Sequence, residues 1–163
     1  MSSPHIIPEC WGDTLLAITL GFSSPNHQFG IGQVNNVMNK DFQNKLAIGI
    51  VDDDKKKPSD FKKFKELKKE KSLGLILKMR PGTKHYLIIV SPAVDTWLVR
   101  AGDSVNIERP YKNNDREYLK QMKKRDVAEN KQIKAYFNTI KQKNPAAFIT
   151  IQNWISSIVK GDI

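Results

Sequence analysis

The apolar positions along the chain fall into continuous runs and into runs with helical spacing. Continuous apolar runs indicate strands that are buried on both faces of a sheet. The runs that predict strands lie at residues 5–9, 46–51, 73–77 and 86–90. Pro81 and Gly82 occupy the two middle positions of a type II turn between the last two runs, so these are expected to form a hairpin.

Helical spacing appears between these runs and dominates the C-terminal third. The segments that predict helices begin at Asp13, cover residues 34–38, and continue at 133–140 and 148–158, with Pro145 between the last two and Gly161 at the end. A further, lysine-rich helix is predicted after residue 58. There Ser59 would be the N-cap, and Phe61, Phe64 and Leu67 would form a narrow apolar stripe.

This order of elements predicts the fold class. Strands alternate with helices and a helical tail follows, which is typical of an α/β domain with two or three layers and a sheet flanked by helices. With 163 residues, the chain is long enough for one domain with a substantial core. We expect a single domain over residues 1–163, with its core at about 5–100 and C-terminal helices at about 115–160.

The charge is strongly basic and unevenly distributed. The sequence has 27 Lys and Arg against 17 Asp and Glu, a net charge of +10. Two segments hold this excess, residues 55–71 with nine lysines and three acids, and residues 112–134 with eight basic residues and four acids. A polyanionic partner such as nucleic acid is one explanation, and two solvated faces that keep the protein soluble are the other.

Other sequence features narrow the class of protein. Cys10 is the single cysteine, which excludes an internal disulfide and a cysteine-based zinc site. The first residues have no basic segment followed by an apolar one, and no apolar stretch approaches the ~20 residues that span a bilayer. We therefore expect a cytoplasmic protein without a membrane segment.

Acidic residues follow the first two predicted strands. Glu9 ends the first, Asp13 comes four residues later, and Asp52, Asp53 and Asp54 end the second. If the two strands are parallel neighbours, these carboxylates meet at one edge of the sheet, where α/β proteins bind ligands. Alternation along a strand would point Asp52 and Asp54 to one ion and Asp53 away from it. Carboxylates are the ligands that Mg²⁺ prefers, whereas the alternative is a turn whose acids are balanced by the following lysines.

These acidic segments resemble the Toprim domain of topoisomerases, bacterial primases and small or OLD-type nucleases. The resemblance rests on residues 6–9 with Glu9, on Asp13, and on residues 47–54, which end in Asp-x-Asp. A third segment, residues 92–98, is similar to the acid-x-Trp-Leu motif of RloB-like and related phage-defence proteins, with Asp95 as its acid. The resemblance covers about residues 6–98, and Cys10 stands where the family usually has glycine.

The resemblance implies a largely parallel sheet and a metal-dependent phosphoryl-transfer protein, with a nuclease as the first expectation. Mg²⁺, or Mn²⁺, would be held by Asp52 and Asp54, with Asp13 and Asp95 as further ligands. Glu9 would be the catalytic base or a ligand to a second metal ion. An ATPase partner protein and a role in phage defence are implied by the RloB-like relatives alone. The lysines expected to contact nucleic acid are Lys55, Lys56, Lys57, Lys62 and Lys63.

Two other functions agree with the same residues. One is a non-catalytic Toprim-like module that binds nucleic acid or a partner protein of a defence system. The other is a metal-dependent hydrolase of small phosphoesters, because the sequence says nothing about substrate size. The separation between the Glu9 carboxylate and the carboxylates of Asp52 or Asp54 distinguishes an enzyme from a module. Carboxylates more than ~8 Å apart are too distant to share one Mg²⁺ ion.

Overall fold

The computed structural model describes residues 2–163, which form an α/β fold around a five-stranded mixed sheet. The strands are β1 Ile6–Pro8, β2 Ala47–Asp52, β3 Lys65–Glu70, β4 Leu75–Met79 and β5 His85–Val90. The helices are α1 Trp11–Thr19, α2 Ile31–Lys40, α3 Val94–Asp103, α4 Pro110–Asn113, α5 Asp115–Met122, α6 Lys131–Lys143 and α7 Ala146–Lys160. The α/β class predicted from the sequence is confirmed.

The sheet has the strand order β1-β2-β5-β4-β3. β1, β2 and β5 run parallel, whereas β4 and β3 are antiparallel to their neighbours, so the parallel arrangement is confined to one half of the sheet. β4 and β5 form the predicted hairpin, in which Thr83 N–H donates to Arg80 O at 3.2 Å and Gly82 has a positive φ. Positive φ at the third position of a type II turn requires glycine or asparagine.

Alternate residues of the strands face two apolar layers. Ile48, Ile50 and Ile88 pack with α1, α3 and the C-terminal helices α5–α7 in the larger layer. Val51 and Leu87 face the smaller layer, which α2 and two phenylalanines cover. The sheet is therefore covered on both faces, which explains why its central strands are apolar without interruption.

The helix predicted over the lysine-rich segment is wrong. Residues Ser59–Lys63 form a short 3₁₀ turn that buries Phe61, and Phe64 is buried directly after it, but Lys65–Glu70 is the edge strand β3. All six side chains of β3 are exposed, and Leu67 is 42% exposed. The strand is held by backbone pairing to β4 rather than by an apolar face, so side-chain spacing gives no signal for it.

β1 lies at the other edge of the sheet, where a proline is tolerated. A loop covers this edge, since Asn26 N–H donates to Ile6 O and Gln28 N–H donates to Pro8 O, at 2.8 and 2.9 Å. Among residues 2–163, no helix is long and apolar enough to span a bilayer.

Candidate metal centre

The carboxyl ends of β1 and β2 meet at one edge of the sheet. The two strands are parallel neighbours with Pro8 opposite Ile50, and Glu9 N–H donates to Ile50 O at 3.0 Å. Glu9 directly follows β1, and Asp52 is the last residue of β2. Since β1 and β2 are parallel neighbours, the acids that follow them lie at one edge of the sheet.

Glu9 is fully buried, and both of its carboxylate oxygens are occupied. Oε2 accepts from the Asp52 backbone N–H at 3.0 Å, and Oε1 accepts from Lys55 Nζ at 2.7 Å. Lys55 is about half exposed, with 46% of its side chain accessible, so its ammonium reaches the buried carboxylate from the surface. A buried carboxylate needs such partners because the loss of its hydration is costly.

Asp52 lies close to the same lysine that contacts Glu9. Its Oδ2 lies 3.9 Å from Lys55 Nζ, and its Oδ1 accepts from the Val94 N–H at 2.9 Å. Val94 is the first residue of α3, where free N–H groups and the helix dipole favour a negative charge. Burial nevertheless dominates and raises the pKa of Asp52 to about 6. Since Glu9 and Asp52 contact one ammonium, their carboxylates lie within the ~8 Å that allows a shared cation.

Asp13 adds a third carboxylate to this cluster. It is fully buried in the first turn of α1, and its Oδ2 accepts from the Cys10 thiol at 3.1 Å. The other oxygen, Oδ1, is buried without a hydrogen-bond partner in the described part of the chain. Burial and then the nearby Asp52 carboxylate raise the pKa of Asp13 well above its ordinary value. A buried polar atom without a partner is rare in proteins and calls for an explanation, of which a bound water or ion is one.

Cys10 was not among the residues proposed from the sequence. It is the N-cap of α1, and its sulfur accepts from the Asp13 N–H at 3.4 Å. Burial and the Asp13 charge raise the pKa of the thiol, so it stays protonated. Only its position before the helix could have suggested this capping role.

These groups are arranged closely enough to bind a cation. Ligand atoms of Cys10, Asp13 and Asp52 all lie within 4.8 Å of one another. Two carboxylates are a usual protein contribution to an Mg²⁺ site, with water and phosphate completing the coordination. The two carboxylates, with the unpartnered Asp13 oxygen, are donors of the chemical kind that Mg²⁺ or Mn²⁺ takes.

The other predicted acids lie outside this compact group. Asp54 is exposed, and Asp95 Oδ1 accepts from the Thr96 N–H at 2.6 Å. Both line a cavity of about 290 Å³ that also contains Asp52. Asp53 is ion-paired with Lys57 at 3.0 Å. The structure therefore brings Asp52 and Asp13 together and leaves Asp54 and Asp95 beside the same cavity.

Gly12 lets three helices meet behind this cavity. A Cβ atom at this position would lie 3.0 Å from Val94 Cγ1 and 3.1 Å from Met122 Cε. Val94 begins α3 and Met122 ends α5, so a side chain larger than hydrogen would press on both. The first turn of α1, which contains Asp13, is thereby held against the start of α3.

Three of the five lysines expected to contact nucleic acid are engaged in ion pairs. Lys55 binds Glu9, Lys57 binds Asp53, and Lys63 binds Asp60. Lys56 and Lys62 are exposed. The segment thus offers less uncommitted positive charge than its composition suggests.

Comparison with protein-family models, with curated proteins and with solved structures finds no match to this chain. The resemblance to Toprim proteins stays a prediction from the residues.

Proposed function

We propose that this chain is a Toprim-like, Mg²⁺-dependent phosphoryl-transfer protein that cleaves nucleic acid. One observation carries the proposal: Asp13 has a buried, unpartnered carboxylate oxygen beside Asp52 at the carboxyl edge of parallel strands. An isolated buried oxygen of this kind is costly unless a ligand contacts it. The overall charge of +10 suits a polyanionic substrate.

The residues at this edge of the sheet have different roles in the proposed function. Asp13 and Asp52 would hold the cation, which when bound orients a phosphate and stabilises the charge of the transition state. The Val94 N–H and the Glu9 carboxylate fix Asp52 from two sides, one through its side chain and one through its backbone. The base role of Glu9 stays a prediction, and it requires Lys55 to release the carboxylate, because both oxygens are engaged.

A cleavage assay tests the proposal. Single-stranded and duplex DNA and RNA are incubated with the wild type in Mg²⁺, Mn²⁺ or EDTA, alongside Asp52→Asn, Asp13→Asn and Asp54→Asn. We expect cation-dependent cleavage that falls at least ~100-fold in the first two variants, because each removes a ligand charge. Asp162→Asn, at an exposed C-terminal position, is the matched control. Equal activity in all variants would show that a contaminant does the cleavage.

Metal binding is measured separately from cleavage. Titration calorimetry with Mn²⁺ should detect one site in the wild type that Asp13→Asn weakens on the order of tenfold or more. A small phosphodiester, bis-p-nitrophenyl phosphate, is included as a substrate for the alternative of a small-phosphoester hydrolase. Cleavage of this compound without cleavage of nucleic acid would favour that alternative.

A second function is favoured by Lys55. Its ammonium already contacts Glu9 and Asp52, and so supplies a positive charge to these acids without a metal ion. A non-catalytic module that binds nucleic acid or a defence partner would need nothing more. Binding of nucleic acid without Mn²⁺ binding or cleavage would support it. From the RloB-like resemblance alone we extend both proposals to an ATPase partner and phage defence.

A further inference from the structure

An aromatic cluster lies beside the cavity and has no role in the cation site. Trp11 lines the cavity, and its ring stacks on His27 with centroids 3.7 Å apart. Phe29 meets both rings edge to face, at 6.1 Å from Trp11 and 4.9 Å from His27. Through Trp11, the cluster reaches the cavity that Asp52 also lines.

Phe29 is the exposed end of this cluster. It is 69% accessible, the highest value among the large apolar residues that the described chain exposes. Its loop is nevertheless fixed, since Gln28 N–H donates to Pro8 O at 2.9 Å and Gly30 N–H donates to Glu9 O at 3.0 Å. An aromatic ring that is exposed but held in place is preorganised for stacking, because little entropy is lost when a ligand covers it.

Positive charges surround the same ring. The guanidinium carbon of Arg125 lies 5.8 Å from the Phe29 centroid, in the geometry of a cation–π contact. Lys123 lines the cavity, and Lys124 is exposed beside it. No ion pair involves these three basic residues within 2–163, so their charges remain available to phosphates.

We propose that Trp11, Phe29 and Arg125 form a binding site for an unpaired base of single-stranded nucleic acid, with Lys123 and Lys124 on its phosphates. Bases of a single strand expose faces that stack on aromatic rings, whereas bases inside a duplex are covered by their neighbours. A site that combines aromatic rings with basic side chains fits a nucleotide, because a nucleotide has both a π-face and a negatively charged phosphate. The inference rests on the proposed function and deepens it by naming the strandedness of the substrate.

Binding is tested in EDTA, so that no cation contributes. Fluorescence anisotropy follows labelled 20-nucleotide DNA and RNA single strands and the blunt duplex of the same DNA sequence. We expect single strands to bind at least ~10-fold more tightly than the duplex, with affinity that falls as salt rises. Parallel DNA and RNA arms identify which sugar is preferred. Duplex binding equal to single-strand binding would overturn the inference.

Variants locate the contact. Phe29→Ala should weaken single-strand binding on the order of tenfold, and Phe29→Tyr should retain it, because tyrosine keeps the stacking face. Arg125→Ala should weaken binding and reduce its salt dependence. Val159→Ala, which shortens an exposed apolar side chain on α7, is the control. A 2-aminopurine base in the strand should lose fluorescence on binding the wild type and lose less with Phe29→Ala; unchanged affinity and quenching in Phe29→Ala would contradict the assignment.

The two proposals fail in different ways. If single strands bind through Phe29 but nothing is cleaved in Mg²⁺ or Mn²⁺, the aromatic site stands and the enzymatic function is wrong. If duplex is cleaved and Phe29→Ala has no effect on binding, the cation site stands and the aromatic site is wrong. If a proline-rich or acidic peptide binds the wild type while single strands do not, the surface is a protein contact and the inference is wrong.

Discussion

The acids that follow the first two strands and the lysines of β3 are both concentrations of charge, but they differ in burial. Glu9 and Asp52 are buried at the ends of β1 and β2, and Asp13 is buried in the first turn of α1, whereas the lysines of β3 are exposed on an edge strand. An exposed charge costs almost nothing, but a buried one must be offset by partners. A short run of similarly charged residues therefore says little about function until the burial of each residue is known.

The two concentrations also differ in what they do to the fold. The lysines of β3 keep an unpaired edge from joining other strands, which is a common protection of sheet edges. The carboxylates oppose folding, since burial raises the pKa of Asp13 and Asp52. A region that costs stability is a better candidate for function than one that is neutral.

The largest expected effect concerns the pH dependence of Asp52. Its pKa is about 6 when folded against an ordinary value of 3.8, so between these pH values the unfolded chain releases its proton first and stability falls as pH rises. Relative to the wild type, Asp52→Asn should gain about 2 kcal/mol in the free energy of unfolding between pH 4 and pH 8. Urea denaturation at both pH values measures this.

Asp54→Asn is the control for this measurement, because Asp54 is exposed next to the same strand end. Because the Asp54 charge is the smallest of the causes that raise the pKa of Asp52, the gain of Asp54→Asn between pH 4 and pH 8 should be much smaller than that of Asp52→Asn. A gain in Asp54→Asn that equals the gain in Asp52→Asn would mean that burial does not distinguish the two acids.

A smaller effect is expected at Lys55. Lys55→Met removes the ammonium on the buried Glu9 oxygen, which should lower the free energy of unfolding by about 1–2 kcal/mol, less than for a fully buried pair because Lys55 is half exposed. Millimolar Mg²⁺ should recover part of this loss if it binds the carboxylates. Thermal melting with and without Mg²⁺ checks both points.

Lys57→Met is the matched variant, because Lys57 pairs with the partly exposed Asp53. This variant should lower the free energy of unfolding by less than about 0.5 kcal/mol, and Mg²⁺ should not stabilise it more than it stabilises the wild type. If Lys57→Met is as destabilising as Lys55→Met, the burial of Glu9 is not what gives Lys55 its importance.

The smallest effect is expected on β3. Lys69→Gln should change the free energy of unfolding by less than about 0.5 kcal/mol, because the side chain is exposed and the strand is held by its backbone. Lys69→Val should instead promote association, which light scattering detects. A stability loss above 1 kcal/mol in Lys69→Gln would show that this lysine has a structural partner.

The sequence predicted the sheet edge well because apolar runs mark buried strands and parallel neighbours must end together. It was wrong for β3, whose backbone pairing leaves no trace in its side chains. The paired roles of Asp52 and Asp54 assumed an extended strand through residue 54. β2 ends at Asp52, and the N–H groups of Asp53 and Asp54 both donate to Pro92 O, at 3.1 and 3.0 Å, so the chain has already turned.

The cluster around Asp13 was harder to predict. Asp13 could be named from its spacing after Glu9, but its unpartnered oxygen depends on how α1 packs against the rest of the core. The thiol of Cys10 and the ammonium of Lys55 also depend on side-chain geometry that spacing does not define. Side-chain partners across elements are a property of the tertiary fold.

Gly12 couples the packing of three helices to the electrostatics of a carboxylate. A Cβ there would crowd the side chain of Val94, whose N–H is the hydrogen-bond donor to Asp52 Oδ1. A shift of a few tenths of an ångström weakens such a bond and raises the proton affinity of the acid. The absence of a side chain at Gly12 therefore leaves room for the start of α3, whose first N–H favours the ionised form of Asp52.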